Sequence, residues 1–123
     1  GKYYTMIIVP IFQNLSSSFQ QEIVLGDRVL LLKLSWNTRI EAWFLHYEDV
    51  ETGECIAGIK LVENWLLLRQ YKASIPNERG DFIVLRNNTD AERITYDNLG
   101  TEFLLYYVTD AEGDSWESFY GVG

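Results

Sequence analysis

The stretch Arg28-Val29-Leu30-Leu31-Leu32-Lys33-Leu34-Ser35-Trp36, then Asn37-Thr38-Arg39-Ile40, then Glu41-Ala42-Trp43-Phe44-Leu45-His46-Tyr47-Glu48-Asp49, decides the fold. Successive side chains of an extended chain point to opposite faces, so Leu30, Leu32, Leu34 and Trp36 share one face while Lys33 and Ser35 lie on the other. Trp43, Leu45 and Tyr47 repeat the pattern against the wetter His46 and Glu48. Two period-two runs separated by a short polar segment holding Asn37 and Thr38 predict a β-hairpin. A helix would waste this pattern. At its period of 3.6 the leucines between Leu30 and Leu34 would circle the axis, and the enrichment in β-branched and aromatic residues also favours strands.

Outward from the hairpin, the same alternation continues. Residues 6–12 read as a first strand, which Pro10 restricts to an edge or an end because proline cannot donate to the ladder. Residues 13–18 form a polar connector, and residues 19–25 alternate Phe19, Gln21, Ile23 and Leu25 with Gln20, Glu22 and Val24. Gly26-Asp27 supplies the turn into the hairpin. After it, Gly53 takes the left-handed position of a bulged loop, and a strand over 55–62 is interrupted by Gly58, which marks a bulge or a close backbone approach. Residues 63–71 are expected to form a short helix or an irregular clamp over the sheet. Strands over 81–86 and 103–109 flank a polar loop over 87–100, of the length that serves as a contact surface in small domains.

The expected fold is therefore all-β: one small antiparallel β-sandwich or partly open β-barrel with one short helical or irregular segment. Three divisions are expected along the chain. Residues 1–5 are a leader or processing remnant, residues 6–109 the β-domain, and residues 110–123 an acidic, aromatic C-terminal tail.

Length and composition bound the function. A chain of 123 residues suits one domain, and 47% hydrophobic with 15% aromatic residues is enough for a packed core. The charge of −8, from 18 acids against 10 bases with no basic run, argues against sequence-specific nucleic-acid binding. One cysteine, Cys55, leaves no intramolecular disulfide, and such a residue is more often a small buried hydrophobe than a reactive thiol. No apolar run approaches the roughly 20 residues needed to span a bilayer.

An enzyme needs a constellation, and none assembles from these residues. His46 is the single histidine, beside Glu48 on a strand face, and reads as a surface histidine rather than a general base. A zinc site would have to rely on carboxylates. Glycine-rich phosphate loops and Gly-x-Ser-x-Gly elbows do not occur, so no cofactor is expected. Glu48 and Asp49, as neighbours on a strand, point opposite ways and would not share a substrate. The cluster of acids over 110–114 lacks the spacing of a calcium loop and reads as solvated.

The order Leu32, Leu34, Trp36, Asn37, Arg39, Trp43, Leu45, then Gly53, Ala57-Gly58, Leu61, Trp65, Leu67-Leu68, then Leu99-Gly100 before Leu105 and Tyr107 resembles the baseplate plug family of contractile-tailed bacteriophages, known best from cyanophage. The Trp-Asn-x-Arg turn of residues 36–39, followed four residues on by Trp43, is its most specific element. The resemblance covers residues 6–108. The chain departs from the family pattern in its longer connector over 14–18 and in the tail after Thr109.

The resemblance implies a non-enzymatic virion protein at the distal end of the tail, assembled in the host bacterial cytoplasm. Its implied partners are the tail tube, the baseplate hub and the inner-baseplate or wedge proteins. Several copies are implied, in a threefold or sixfold assembly. Within that frame Trp36, Asn37 and Trp43 are expected to be a structural hairpin motif, the tryptophans stacking and Asn37 shaping the turn. Arg39, Trp65, Trp116, Phe119 and Tyr120 are candidates for a partner interface, where arginine and aromatic anchors are favoured. For Trp65 and Tyr71, core burial is the alternative, and the heavier one. Asp90, Glu92, Asp97 and Glu102 are candidates for the inward face of a DNA conduit, whose wall works better if it repels phosphate. The rival reading is a soluble carbohydrate- or ligand-binding β-sandwich, with Trp65, Tyr71 and Trp116 stacking on sugar rings.

Overall fold

The computed structural model describes residues 4–11, 17–25 and 28–110. Over them the chain forms β1 (Tyr4–Ile8), β2 (Ser18–Leu25), β3 (Arg28–Asn37), β4 (Ala42–Asp49), β5 (Cys55–Lys60), a 3₁₀ helix (Arg69–Ser74), β6 (Gly80–Arg86) and β7 (Phe103–Asp110). One sheet has the order β2-β3-β4-β5 and the other β1-β7-β6, with every strand pair antiparallel. The architecture is a small all-β sandwich with no closed barrel.

The hairpin lies at the centre of the larger sheet. Its register sets Trp36 opposite Trp43, Leu34 opposite Leu45 and Leu32 opposite Tyr47, so one face of the pair is uninterrupted apolar surface. Leu30, Leu32, Leu34, Leu45 and Tyr47 are fully buried. Phe82, Val84, Phe103, Leu105 and Tyr107 meet them from the smaller sheet, and together they form one core. Removing such surface from water, at roughly 25 cal/mol per Å², is the main force holding the layers together.

Several boundaries differ from the sequence expectation for identifiable reasons. The first strand runs from Tyr4 to Ile8 on the edge of its sheet and stops short of Pro10. Thr5 pairs with Thr109, which draws part of the 1–5 stretch into the sheet. Strand β5 ends at Lys60, two residues early; Leu61 N–H still bonds to Trp43 O (2.9 Å), but Val62 turns out to solvent. Cys55 is exposed rather than buried, at the start of an edge strand.

The expected clamp over 63–71 is present in modified form. Asn64 N–H bonds to Val84 O (2.9 Å) and Leu67 N–H to Phe82 O (3.0 Å), so this irregular segment covers the outer edge of β6 before the 3₁₀ helix begins at Arg69. Covering an edge in this way satisfies backbone groups that would otherwise invite another strand. Gly53 adopts φ 78° and donates to Asp49 O (2.8 Å), closing the β4–β5 turn as a left-handed glycine allows. The Gly26-Asp27 turn, Phe12 and the tail beyond Asp110 lie outside the described residues.

Candidate functional site

Two arrangements of side chains stand out, one at each end of the sandwich. At the hairpin end, Asn37 Oδ1 accepts the N–H groups of Arg39 (2.9 Å) and Ile40 (3.1 Å), and Glu41 N–H bonds to Asn37 O (2.7 Å). This is the local side-chain-to-backbone bonding that makes asparagine a turn former. It lets Glu41 take a positive φ of 57° and brings the two tryptophans together across the strands.

Trp36 and Trp43 meet edge-on at 5.6 Å, Tyr96 stacks on Trp43 at 5.6 Å, and Phe19 completes the group at 5.8 Å from Trp43. Trp43 Nε1–H donates to Thr95 O (3.1 Å), which ties the loop over 87–102 to the hairpin. Asn98, nearly buried, orders that loop from within: its Oδ1 accepts Thr95 N–H (2.7 Å) and its Nδ2 donates to Arg93 O (3.1 Å). Trp36, Asn37 and Trp43 lie together at the hairpin end, the tryptophans edge-on rather than stacked, with Tyr96 and Asn98 beside them from a loop whose sequence concealed them.

The four loop acids Asp90, Glu92, Asp97 and Glu102 are all exposed, and Glu102 accepts a bond from Thr89 Oγ1 (2.9 Å). Arg39 is exposed in the hairpin turn. Trp65 is 60% exposed, against the expectation of core burial, because the clamp spends its inward positions on Leu67 and Leu68. Tyr71 instead packs against the core. Trp65 and Tyr71 therefore do not offer the paired stacking face that a sugar site would use. Trp116, Phe119 and Tyr120 lie outside the described residues.

At the opposite end, polar groups that sequence reasoning missed are buried between the sheets. Glu78 has no exposed surface and accepts bonds from Tyr47 Oη (2.5 Å), Tyr107 Oη, Arg28 Nη2 (2.7 Å) and Gly80 N–H (2.8 Å). Arg28 also donates to the buried Asp49 (3.0 Å), whose other oxygen accepts the N–H groups of Glu51 and Thr52. Lys72, 2% exposed, donates to the carbonyls of Glu78 (3.1 Å) and Gly80 (2.5 Å). Asp81 accepts Leu68 N–H (2.6 Å), fastening the clamp to β6.

Burial alone would push the Glu78 carboxyl up, but the two tyrosine hydroxyls, Arg28 and Gly80 N–H outweigh it and hold it below the usual glutamate value. Burial likewise opposes ionisation of Asp49, which Thr52 N–H and Arg28 overcome, so it too is lowered. Burial, reinforced by the Glu78 charge, raises Tyr47 and Tyr107. Burial lowers Lys72, in part offset by Asp81 and Glu78. Every oxygen of Glu78 and Asp49 is engaged inside the protein. The cluster therefore joins β3, β4, β6 and β7.

A family model described as cyanophage baseplate Pam3 plug gp18 matches residues 6–111 of the chain. No curated protein matches it.

Proposed function

The chain belongs to the cyanophage baseplate plug family, and on that premise we propose that it bridges the central hub or tube and the surrounding baseplate by protein–protein contact, without catalysis. As a member of that family it is a structural protein of the phage tail baseplate and associates with other baseplate components. The match over 6–111, which takes in both sheets, is the observation that carries the proposal. Two features support it. The polar side chains buried between the sheets are consumed by one another, and Ile40, Val62 and Trp65 remain 55%, 43% and 60% exposed at the surface. Contiguous exposed apolar surface is the usual mark of a contact surface, and Ile40 and Val62 line one depression.

The finer assignments follow the same reading. Arg39 and Trp65 contact neighbouring subunits, as do Trp116, Phe119 and Tyr120 of the tail. Asp90, Glu92, Asp97 and Glu102, exposed on one loop, face the channel and keep phosphate from binding its wall. The copies follow the threefold or sixfold symmetry of the tail.

Cryo-electron microscopy of intact tails tests these points together. The expected density is a two-sheet domain between hub or tube and outer baseplate, in several copies. Its absence from purified particles would overturn the proposal, and a position in which the four acids pair with basic partners away from the lumen would overturn the channel assignment.

A further inference from the structure

The two sheets differ on their outer faces. Outward positions of the four-stranded sheet include Gln20, Glu22, Lys33, Ser35, His46 and Glu48, the alternation of a sheet with one side in water. On the three-stranded sheet Ile7, Phe82, Val84, Leu105 and Tyr107 pack into the core, yet the residues between them are also apolar: Met6, Ile8, Ile83, Leu85, Leu104 and Tyr106. Runs such as Phe82-Ile83-Val84-Leu85 and Phe103-Leu104-Leu105-Tyr106-Tyr107-Val108 are those of strands covered on both sides.

The register sets the outward residues side by side. Ile8, Tyr106 and Ile83 form one row across the sheet, and Leu104 and Leu85 face each other in the next. Met6 and Ile8 are 47% and 50% exposed on the edge strand. At the β6 side, Asn64 N–H and Leu67 N–H bond to Val84 O and Phe82 O, so the 60% exposed Trp65 falls between them, at the level of Ile83. The row of Val108 and Asp81 is closed: Asp81 has no exposed surface and accepts Leu68 N–H and Phe82 N–H. Charge begins at the rim, where Leu85 shares a depression with Glu63, Arg86 and Asp90, and Glu63 and Arg86 pair with each other at 2.8 Å. An apolar centre inside a polar rim is the anatomy of an interface.

Resting on the baseplate reading above, we propose that this face receives one amphipathic helix of a different baseplate chain, its apolar stripe laid along Ile8, Tyr106, Ile83 and Leu104. Three strands about 4.8 Å apart make a face roughly 10 Å wide between the outer two, which one helix of about 10–12 Å diameter covers. Two outward steps along β7, from the level of Val108 to that of Leu104, span about 13 Å, or about nine helical residues. A helix laid on an apolar sheet face is a standard way of closing such a layer.

The chain itself does not supply that helix. Among the described residues its one helix is the 3₁₀ turn Arg69–Ser74, so a second copy brings none from them. Residues 111–123 start at the end of β7, but Gly113, Gly121 and Gly123 disfavour a helix there, and the open face offers no base to Glu112, Asp114 and Glu117.

Photo-cross-linking in assembled tails tests the proposal. Chain carrying Tyr106→p-benzoylphenylalanine is incorporated into tails, which are purified, irradiated and digested, and the linked peptides are sequenced. The expected link joins position 106 to one segment of a different baseplate chain whose apolar residues recur at spacings of three and four. Met6→Glu together with Ile8→Glu, at two half-exposed positions, should keep the urea midpoint of the free protein and lower the amount of chain in tails at least tenfold; should the midpoint fall, the cross-link decides by itself. Links to a second copy, to residues 111–123 or to a segment without that repeat overturn the proposal. So do the absence of any link and normal incorporation of the double variant, and in all these cases the baseplate role stands. Absence of the unaltered chain from purified tails overturns the role itself.

Discussion

Glu78 is the residue on which the non-apolar part of the core turns. It gathers Tyr47, Tyr107, Arg28 and Gly80 N–H from four separate segments. Removing one partner of a buried pair strands the other charge, at a cost of about 3–5 kcal/mol. Glu78→Ala is expected to lose stability of that order in urea unfolding, with Tyr47→Phe losing about 1–3 kcal/mol because one acceptor is then left short of a donor.

The pH dependence has a definite sign at both limits. Glu78 and Asp49 have folded values below their ordinary ones. The unfolded chain binds their protons more readily, so the stability they contribute is complete above about pH 4.5 and is lost as pH falls through the folded values. Tyr47 and Tyr107 have folded values above the ordinary one. Their contribution is complete below about pH 10 and is lost as pH rises further. Unfolding free energy measured across pH should form a plateau between these limits, and Glu78→Gln should flatten the acid side and weaken the alkaline side as well, because the Glu78 charge helps to raise both tyrosines. An unchanged acid limb in that variant would contradict the assignment.

Gly80 is constrained by the same cluster. A Cβ there would lie 2.5 Å from the Tyr107 ring carbon that bears the hydroxyl, and 2.6 Å from Val108 O. Gly80→Ala should therefore destabilise by about 1–3 kcal/mol, the usual cost of overpacking, read from the same urea titrations. Asp49 was the one member of this group with a signal in the sequence. It falls on the inward parity of Trp43, Leu45 and Tyr47, and a charge at an inward position calls for a buried partner. Glu78 and Lys72 carried no such signal, since neither lies in a periodic run.

Among elements, the β3–β4 hairpin was legible almost residue by residue because both strands are half-buried and the alternation is strict. Its turn has a measurable local component. Asn37→Ala removes the acceptor for two backbone N–H groups at an exposed site, and thermal unfolding should register a loss of about 1 kcal/mol. The clamp over 63–68 was legible only as an irregular segment. Trp65 at a spacing of three from Leu68 suggested an inward face, yet backbone bonds to Val84 and Phe82, with Asn64 at φ 63°, fix an irregular path in which Trp65 points to solvent. A pairing that lies nearly twenty residues away in sequence leaves no local pattern to read.

For the whole molecule, the described residues of both sheets form one continuous core. If the tail serves contact between chains, deleting residues 115–123 is expected to shift unfolding free energy by no more than about 0.5 kcal/mol, the range of changes remote from packing. The same deletion should abolish incorporation into baseplates, scored by the amount of protein in purified particles. Normal incorporation of the shortened chain would reject a contact role for Trp116, Phe119 and Tyr120.

The sequence by itself determined the all-β class, the order of the strands along the chain and the face each presents, because alternation and turn chemistry are local properties written every second residue; the family came from a resemblance carried by particular residues and from the family-model match. Only the tertiary structure decided that seven strands divide as four and three, that Trp65 faces water, and that Arg28, Tyr47, Asp49, Lys72, Glu78 and Tyr107 converge. The cost of burying a charge is cancelled by whichever partners the fold brings within hydrogen-bond distance. Those partners are set by sheet packing across the chain and not by neighbours along it.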